Sequence, residues 1–519
     1  MKRVAERWPL LVALAFLWLS LAVIFHFSRS LNQGRLVYSL DDAYIHMALA
    51  KHLVQHGVWG VTKYGFSSSQ SSLLWPLLLA LIYLPAGPNE ITPLVLNVVL
   101  STLVVACLFL LLERRGLPAP FILLVLLELI IFMRMPLMVF DGMEHLLQVL
   151  LVLAFVHFST HSLAGQNHVS RSTALALALV LAPLLTATRY EGLFLVAVVS
   201  PLFLLRRRWR AGLALPALAL APVAAYAVVS VAHGGYWLPN SLLMKSNWYN
   251  PQAGVFAQLA VSPLLYLVAP AAAIYLYRLV KGHGFWQPEQ LTLLVLLVAF
   301  APQVVLGRLG PRYEAYLITL GLYGLATSVF ALLRATSLPD RAQARVALAM
   351  GVLLVLPIGQ QGARAAMVTP IATSNVYQQQ YQMGRFLRQY YQGQAVAASD
   401  IGAIDYLADI KLLDLAGLGT VETAGAFLRG TYDDVFLRQL ARAKRVKIAV
   451  TYESIFGGGP PAAWVVVGKW RIPLNVVCYG DTVTFFAVDP SEAPRLRQHL
   501  LDFSHKLPPQ VQQVVFTYP

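Results

Sequence analysis

Leu73-Leu74-Trp75-Pro76-Leu77-Leu78-Leu79-Ala80-Leu81-Ile82-Tyr83-Leu84 is a continuous apolar run of 12 residues, closed by Pro85-Ala86-Gly87-Pro88. A helix needs about 20 apolar residues to cross the hydrocarbon of a bilayer, so this run reads as a re-entrant or juxtamembrane helix. Every later segment would change sides if it crossed. Longer apolar runs lie at about 8–27, 91–112, 118–134, 145–160, 172–188, 191–205, 211–232, 254–277, 289–307, 314–333 and 345–358.

Charge arbitrates. With Leu73–Leu84 held to one side, Lys2/Arg3/Arg7, Arg114/Arg115, Arg171, Arg206/Arg207/Arg208/Arg210, Arg278/Lys281 and Arg334/Arg341/Arg345 share a face, 15 basic residues against 9 opposite. Cytoplasmic loops collect Lys and Arg, so that face is predicted to be cytoplasmic. The expectation is eleven spans in a plasma (inner) membrane, N-terminus inside and C-terminal region outside.

Composition points the same way. Charged residues make up 12% of the 519 and the AVILMFWYC set 58%, whereas about 25% charge is usual in soluble domains. A soluble enzyme, a disordered chain and a fibrous one are excluded. Residues 1–359 hold 24 Lys/Arg and 12 Asp/Glu, and residues 360–519 hold 15 and 12. The first part is therefore predicted to be a membrane domain with its first outer loop at 28–72, and the second a water-facing domain. The net charge of +15 lies mostly in the membrane part, where topology explains it, so no nucleic acid is expected as a partner. Cys107 and Cys478 fall in different phases, which argues against a structural disulfide. The apolar run after Met1–Arg7 is long and lacks an A-x-A site, so it reads as an uncleaved first span.

Function is sought on the outer face. Its first loop reads Tyr38-Ser39-Leu40-Asp41-Asp42-Ala43-Tyr44-Ile45-His46, with Ile45, Leu49 and Leu53 at helical spacing and Gly57 as a stop. Two readings fit Asp41 and Asp42: helix N-caps, or carboxylates at the water–lipid boundary able to take a proton or hold a metal. Asp141-Gly142-Met143-Glu144-His145 follows, with Glu144 and His145 at a span end, where ionisable groups are costly and usually functional. Arg189 and Glu191 stand two apart, a spacing that does not face on a helix. Lys245, and Arg308 and Arg312 beside Tyr313 and Glu314, add cations at outer helix ends. Each has an ordinary structural reading as a cap, anchor or snorkelling side chain. Together they place acids and bases on one side of one membrane.

These motifs resemble GT-C glycosyltransferases, in particular bacterial polyprenyl-phosphate-sugar-dependent families of the arabinofuranosyltransferase and lipopolysaccharide-sugar type. The resemblance rests on Asp41-Asp42-Ala43-Tyr44-Ile45, Gly57-Val58-Trp59-Gly60 and Ser71-Ser72-Leu73-Leu74-Trp75. It continues through Gly142-Met143-Glu144, Arg189-Tyr190-Glu191-Gly192, Leu238-Pro239-Asn240-Ser241 with Lys245, Ser399-Asp400-Ile401-Gly402-Ala403 and Asp414-Leu415-Ala416-Gly417-Leu418. Arg-Tyr-Glu-Gly stands where Arg-Pro-Glu-Gly is more usual.

The resemblance implies a GT-C-like helical membrane protein that takes a sugar from a polyprenyl-phosphate donor and passes it to a hydroxyl of a glycan, glycolipid or protein on the non-cytoplasmic face. Asp41 is the expected general base and Asp42 its partner. Glu144 and His145 belong to the acceptor or metal side, and Lys245, Arg189, Arg308 and Arg312 to the donor phosphate. Tyr44, Glu191 and Asn240 would complete the pocket, with room for a divalent metal ion. The rivals are a flippase for a lipid-linked sugar, which would need mid-membrane charges and related halves, and a membrane scaffold.

In the tail, a helix over 376–392 precedes apolar runs at Ala395–Ala398, Ile410–Leu415, Val446–Thr451, Trp464–Val467, Val483–Val488 and Val511–Thr517, interleaved with helical ones. That pattern predicts an extracytoplasmic α/β domain. Asp400 and Asp405, with Tyr406, could reach back to the membrane site, but an Asp after a strand usually caps the next helix, and that is the expectation here, with the domain serving as acceptor recognition or lid.

Overall fold

The computed structural model describes residues 7–164, 170–245, 258–260, 262–282, 284–336 and 339–516. Among them, eight helices are long and apolar enough to cross a membrane. They are α1 (Trp8–Leu31), α4 (Thr92–Arg114), α7 (His145–Ala164), α8 (Arg171–Thr188), α10 (Trp209–Ala232), α12 (Pro263–Val280), α13 (Pro288–Val305) and α14 (Pro311–Arg334). Shorter apolar helices are α3 (Leu74–Ala86), α5 (Ala119–Phe132) and α9 (Gly192–Leu205). Two further helices are α2 (Asp42–His56) and the six-residue α6 (Met135–Phe140), the latter lying in what the sequence reads as an outer loop. A left-handed turn at Arg134 (φ 52°) breaks α5 from α6, and the Arg134 guanidinium donates to Gln361 at 2.6 Å. Lys2 and Arg3, residues 246–250 of the third outer segment and the start of the run at 254 lie outside the described residues.

Side-chain contacts sort the helix ends onto two faces. On one, Arg115 meets Glu289 and His161, Arg208 meets Ser162, and Arg334 donates to the Gly116 carbonyl. On the other gather the loops around residues 38, 71, 90, 141, 189, 245 and 312. The helix α3 has both ends on this second face. Leu73 N–H donates to the Ala187 carbonyl, and beyond its far end Tyr38 Oη donates to the Glu90 carbonyl. Pro85 ends α3 and Gly87 turns the chain at φ 72°, a conformation glycine adopts without Cβ strain. The short run therefore returns to its own side, and the protein is a multi-pass helical membrane protein.

The run expected at 345–358 belongs to a much longer helix, α15 (Asp340–Val376, 37 residues), which continues through a π turn at Tyr377–Tyr381 into α16 (Gln382–Tyr390). The compositional change near 359/360 thus falls inside one helix. The helix runs on past Pro357 and Gly359 without a break, and the separate helix expected over 376–392 is the far part of this strut.

Beyond it, β1 (Ala395–Ala398), β2 (Lys411–Asp414), β3 (Ile448–Thr451), β4 (Val465–Arg471), β5 (Thr482–Ala487) and β6 (Gln512–Val515) form one mixed sheet, ordered β2-β1-β3-β5-β4-β6. The first three strands are parallel and the remaining pairings antiparallel. Alternate residues serve opposite faces. Val396, Val450 and Phe485 pack with Phe386 of α16 and with Leu496 and Leu500 of a C-terminal helix (Ala493–Phe503). Ala397, Ala449 and Phe486 pack with Leu437 and Ala441 of another (Asp434–Ala443). The result is the three-layer α/β domain that the alternating runs predict.

The two parts are docked. α17 (Ala403–Leu407), just after β1, sits against α2. Lys51 Nζ donates to the Tyr406 carbonyl at 2.7 Å, and Tyr44 packs against the rings of Tyr406 and Tyr381.

Candidate active site

The two neighbouring aspartates serve different partners. Asp42, in the first turn of α2, faces Lys245 Nζ at 3.2 Å and Arg312 Nη2 at 3.1 Å. Although burial opposes it, these two cations hold the Asp42 carboxyl well below the ordinary aspartate range. Asp41 turns the other way. Its side chain does not cap α2; its oxygens accept the N–H groups of Gly402 and Ala403, at 2.7 and 2.8 Å, at the start of α17. Burial raises the Asp41 carboxyl, and the nearby Asp400 raises it further. Asp400 caps nothing in its own domain; it accepts from Tyr452 Oη at 2.6 Å and Gln380 Nε2 at 2.9 Å. Asp405 is fully buried at the same interface.

Asp42 lies on the wall of a cavity of about 420 Å³. Lys245, Arg308, Arg312, Arg189 and Tyr313 line it, with Leu193, Phe194, Val223, Leu238, Leu242 and Leu306 as an apolar side. Lys245 stands at the end of α11 (Asn240–Lys245) and Arg312 in the first turn of α14, which Pro311 opens. Arg308 Nε donates to the Lys245 carbonyl, linking two of the cations through backbone. Among the described residues, no acid lies within ion-pair distance of Arg308. A larger cavity, about 1130 Å³, opens between the two domains, but Asp42 and its cations do not border it.

Under the cavity runs a buried polar chain. Arg189 has extended backbone (φ −155°, ψ 139°), so it and Glu191 face each other after all, at 2.6 and 3.1 Å; the helix-spacing argument fails because residue 189 is not helical. Its third nitrogen donates to Glu144 at 2.8 Å and lies 3.1 Å from His145 Nε2. Against the effect of burial, Glu191 and Glu144 hold the Arg189 guanidinium above its usual range. Ser71 Oγ donates to Glu144 at 3.0 Å and meets His46 Nε2 at 3.1 Å, while burial keeps the His46 imidazole below its ordinary value.

Several sequence expectations change accordingly. Glu144 and His145 are sealed beneath the cavity instead of facing an acceptor, because Arg189 draws both inward. Tyr44 is fully buried in the docking interface and does not line the cavity. Asn240 is also buried, its backbone N–H donating to the Ser68 carbonyl. Ser71, His46 and Tyr313 join the site although the sequence assigns none of them a role in it. The serine-rich loop reads equally as a linker, and only the fold brings Ser71 to Glu144. Among the described residues, no three His, Cys, Asp or Glu side chains gather as metal ligands. The donor set of the aspartate pair fits a divalent ion poorly, since Asp42 faces two cations and Asp41 two N–H groups.

A family model described as a domain of unknown function (DUF8728) matches residues 372–486. No curated protein sequence matches the chain. Solved structures similar to it include ArnT from Cupriavidus metallidurans bound to undecaprenyl phosphate (TM-score 0.56, 11% identity, 92% of this chain and 99% of that one). Another is the apo oligosaccharyltransferase of Archaeoglobus fulgidus (TM-score 0.52, 12% identity, 92% and 74%). A third is AglB of the same organism with an inhibitory peptide and a dolichol-phosphate (TM-score 0.50, 13% identity, 90% and 74%). With 92% of its length, helical membrane part and docked α/β domain included, aligned to ArnT, the chain has the GT-C fold.

Proposed function

We propose that the protein is a glycosyltransferase that moves a sugar from a polyprenyl-phosphate carrier to an acceptor hydroxyl on the non-cytoplasmic face. The observation that carries this reading is the cavity itself: Lys245, Arg308 and Arg312 gather in its lining with an ionised aspartate among them, and Leu193, Phe194, Val223, Leu238, Leu242 and Leu306 supply apolar surface. An amphiphile with a phosphate head and a hydrocarbon tail matches both kinds of lining. Arginine suits such a head because its planar guanidinium can contact two oxygens together. The fold adds support, since ArnT and AglB were solved with prenyl-type phosphates bound. The clustering of Arg and Lys on the opposite helix ends supports the assigned orientation.

In the proposed reaction the acceptor oxygen attacks the anomeric carbon as the bond to the phosphate oxygen breaks. The hydroxyl proton passes to a carboxylate, and the carrier phosphate departs into the Lys245–Arg308–Arg312 cluster. Attack opposite the leaving group inverts the anomeric centre, so one carboxylate suffices, unlike the acid–nucleophile pair of retaining hydrolases. Asp42 is the member of the aspartate pair placed to act, because it borders the cavity and Asp41 does not. Before donor binds, Lys245 and Arg312 suppress its basicity; once phosphate shares those cations, its affinity for a proton rises. Asp41 then has a positioning role, pinning α17 against α2. Purified protein mixed with a polyprenyl-phosphate sugar and an acceptor tests this directly. Glycosidic product supports the reading, and movement of intact donor across a bilayer without product would replace it with a flippase.

A further inference from the structure

The 1130 Å³ cleft between the domains is unused by this mechanism, and its chemistry is distinctive. One wall is the outer-loop segment around Tyr64, Phe66 and Tyr236, with Phe66 stacked on His233 at 4.8 Å. The other wall belongs to the α/β domain: Lys411 from β2, and α18 (Val421–Arg429) followed by α19 (Asp434–Ala443). Lys411 and Arg429 are exposed there, and among the described residues neither has an acid within ion-pair distance. Lys444 is paired with Glu422 at 3.0 Å. On the far side of α19 a second groove of about 840 Å³ carries Arg438, Arg442, Arg445 and Lys447. Gln439 borders both grooves. Among the described residues, only Arg438 and Lys447 of that group have acidic partners, Asp434 and Asp489.

The cleft and the cavity are bordered by one loop. The loop that lines the cleft with Phe66 and Ser67 continues within five residues to Ser71 on the cavity wall. Tyr226 clasps this loop through Ser68 Oγ at 2.7 Å, and Ser241 does so through the Gln70 carbonyl. Lys411 lies over the Tyr64 ring at 5.6 Å, an aromatic and cationic surface that suits a charged sugar, and cations without an acidic partner among the described residues on both sides of α19 suit a run of negative charges. We infer that the cleft and the groove beyond α19 bind an anionic glycan chain, its sugars bearing carboxylates or phosphates, as the acceptor, held on the far side of the loop that also borders the Asp42 cavity. This rests on the transferase reading for the word acceptor, but the binding itself does not.

The test uses the full-length protein in neutral-lipid nanodiscs, with three probes: long-chain oligogalacturonate, a neutral maltooligosaccharide of equal length, and a single-stranded oligonucleotide. Oligogalacturonate is expected to bind in preference to both others and to weaken with salt. K411Q/R429Q is expected to lower its affinity roughly tenfold, while the charge-matched R388Q/R495Q on the opposite layer leaves it unchanged. All four side chains are exposed, so an unchanged thermal midpoint shows that the variants are folded. Equal loss in both double variants, equal binding of the neutral chain, or tighter binding of the oligonucleotide would overturn the inference. D42N is expected to keep full binding. Intact binding in a protein that transfers no sugar supports the cleft while counting against the reaction.

Discussion

The Asp41 carboxylate accepts the backbone N–H of Gly402 at 2.7 Å, across 361 positions of sequence. A membrane-domain side chain thus caps a helix of the outer domain, taking the place that a residue of the outer domain's own chain would ordinarily fill. A Cβ at Gly402 would overlap the Asp41 carbonyl oxygen. Gly402→Ala should therefore open the interface, seen as faster hydrogen exchange over residues 400–407 and at the start of α2. Asp41→Ala, which removes both acceptor oxygens, should cost about 0.5–2 kcal/mol of docking, the usual worth of a cap.

Asp42→Asn should behave differently. It removes the proposed proton acceptor while releasing Lys245 and Arg312 for phosphate. Turnover should fall about 10²–10⁴-fold, with donor KM unchanged or lower. If Asp41→Asn gives the larger loss of turnover in a protein whose domains stay docked, the roles of the two aspartates are reversed.

Lys245→Ala and Arg312→Ala should act chiefly on the donor. Each removes one charged contact to the proposed phosphate, worth about 1.5–3 kcal/mol, so donor affinity should drop by one to two orders of magnitude. Calorimetry or competition with a prenyl phosphate would measure it, and unchanged affinity in both variants would remove the phosphate from this cavity.

Arg189→Leu should be the most damaging to stability. It leaves Glu144 and Glu191 buried without their cation, a change that costs about 3–5 kcal/mol in such pairs. A large drop in thermal midpoint is expected, along with lost activity. Arg189→Lys should recover only part of it, because an ammonium cannot span Glu144 and the two oxygens of Glu191.

The docking interface should also respond to pH. Burial raises both the Asp41 and the Asp400 carboxyls, with repulsion from Asp400 adding at Asp41 and repulsion from Asp42 adding at Asp400. A raised carboxyl binds more protons folded than unfolded, so its contribution is fully present below the ordinary aspartate value and is lost as pH rises through the raised one. Hydrogen exchange over residues 400–407 should therefore quicken between mildly acidic and neutral pH. Asp400→Asn should flatten that dependence.

Much of the architecture was legible in composition and spacing. Twelve apolar residues ahead of Pro85 cannot cross a bilayer, and α3 returns to its own face. The strands β1, β2 and β3 each lie within the expected apolar runs, since a buried parallel strand is short, apolar and bounded by turns. The domain change was less legible, because α15 carries one uninterrupted backbone through the shift in composition.

The candidate site divides along another line. Which residue types gather on one face of the helical part followed from charge and hydropathy alone, because the cost of burying a charge in lipid confines it to the ends of spans wherever the chain places it. Which aspartate meets Lys245, which one caps α17, and that Arg189 binds Glu144 and Glu191 were decided only by tertiary structure. Asp41 and Asp42 are chemically identical neighbours; the turn entering α2 points them in different directions, and their partners arrive from 200 to 360 residues away. No local propensity encodes such a meeting, which exists only once the helices have packed.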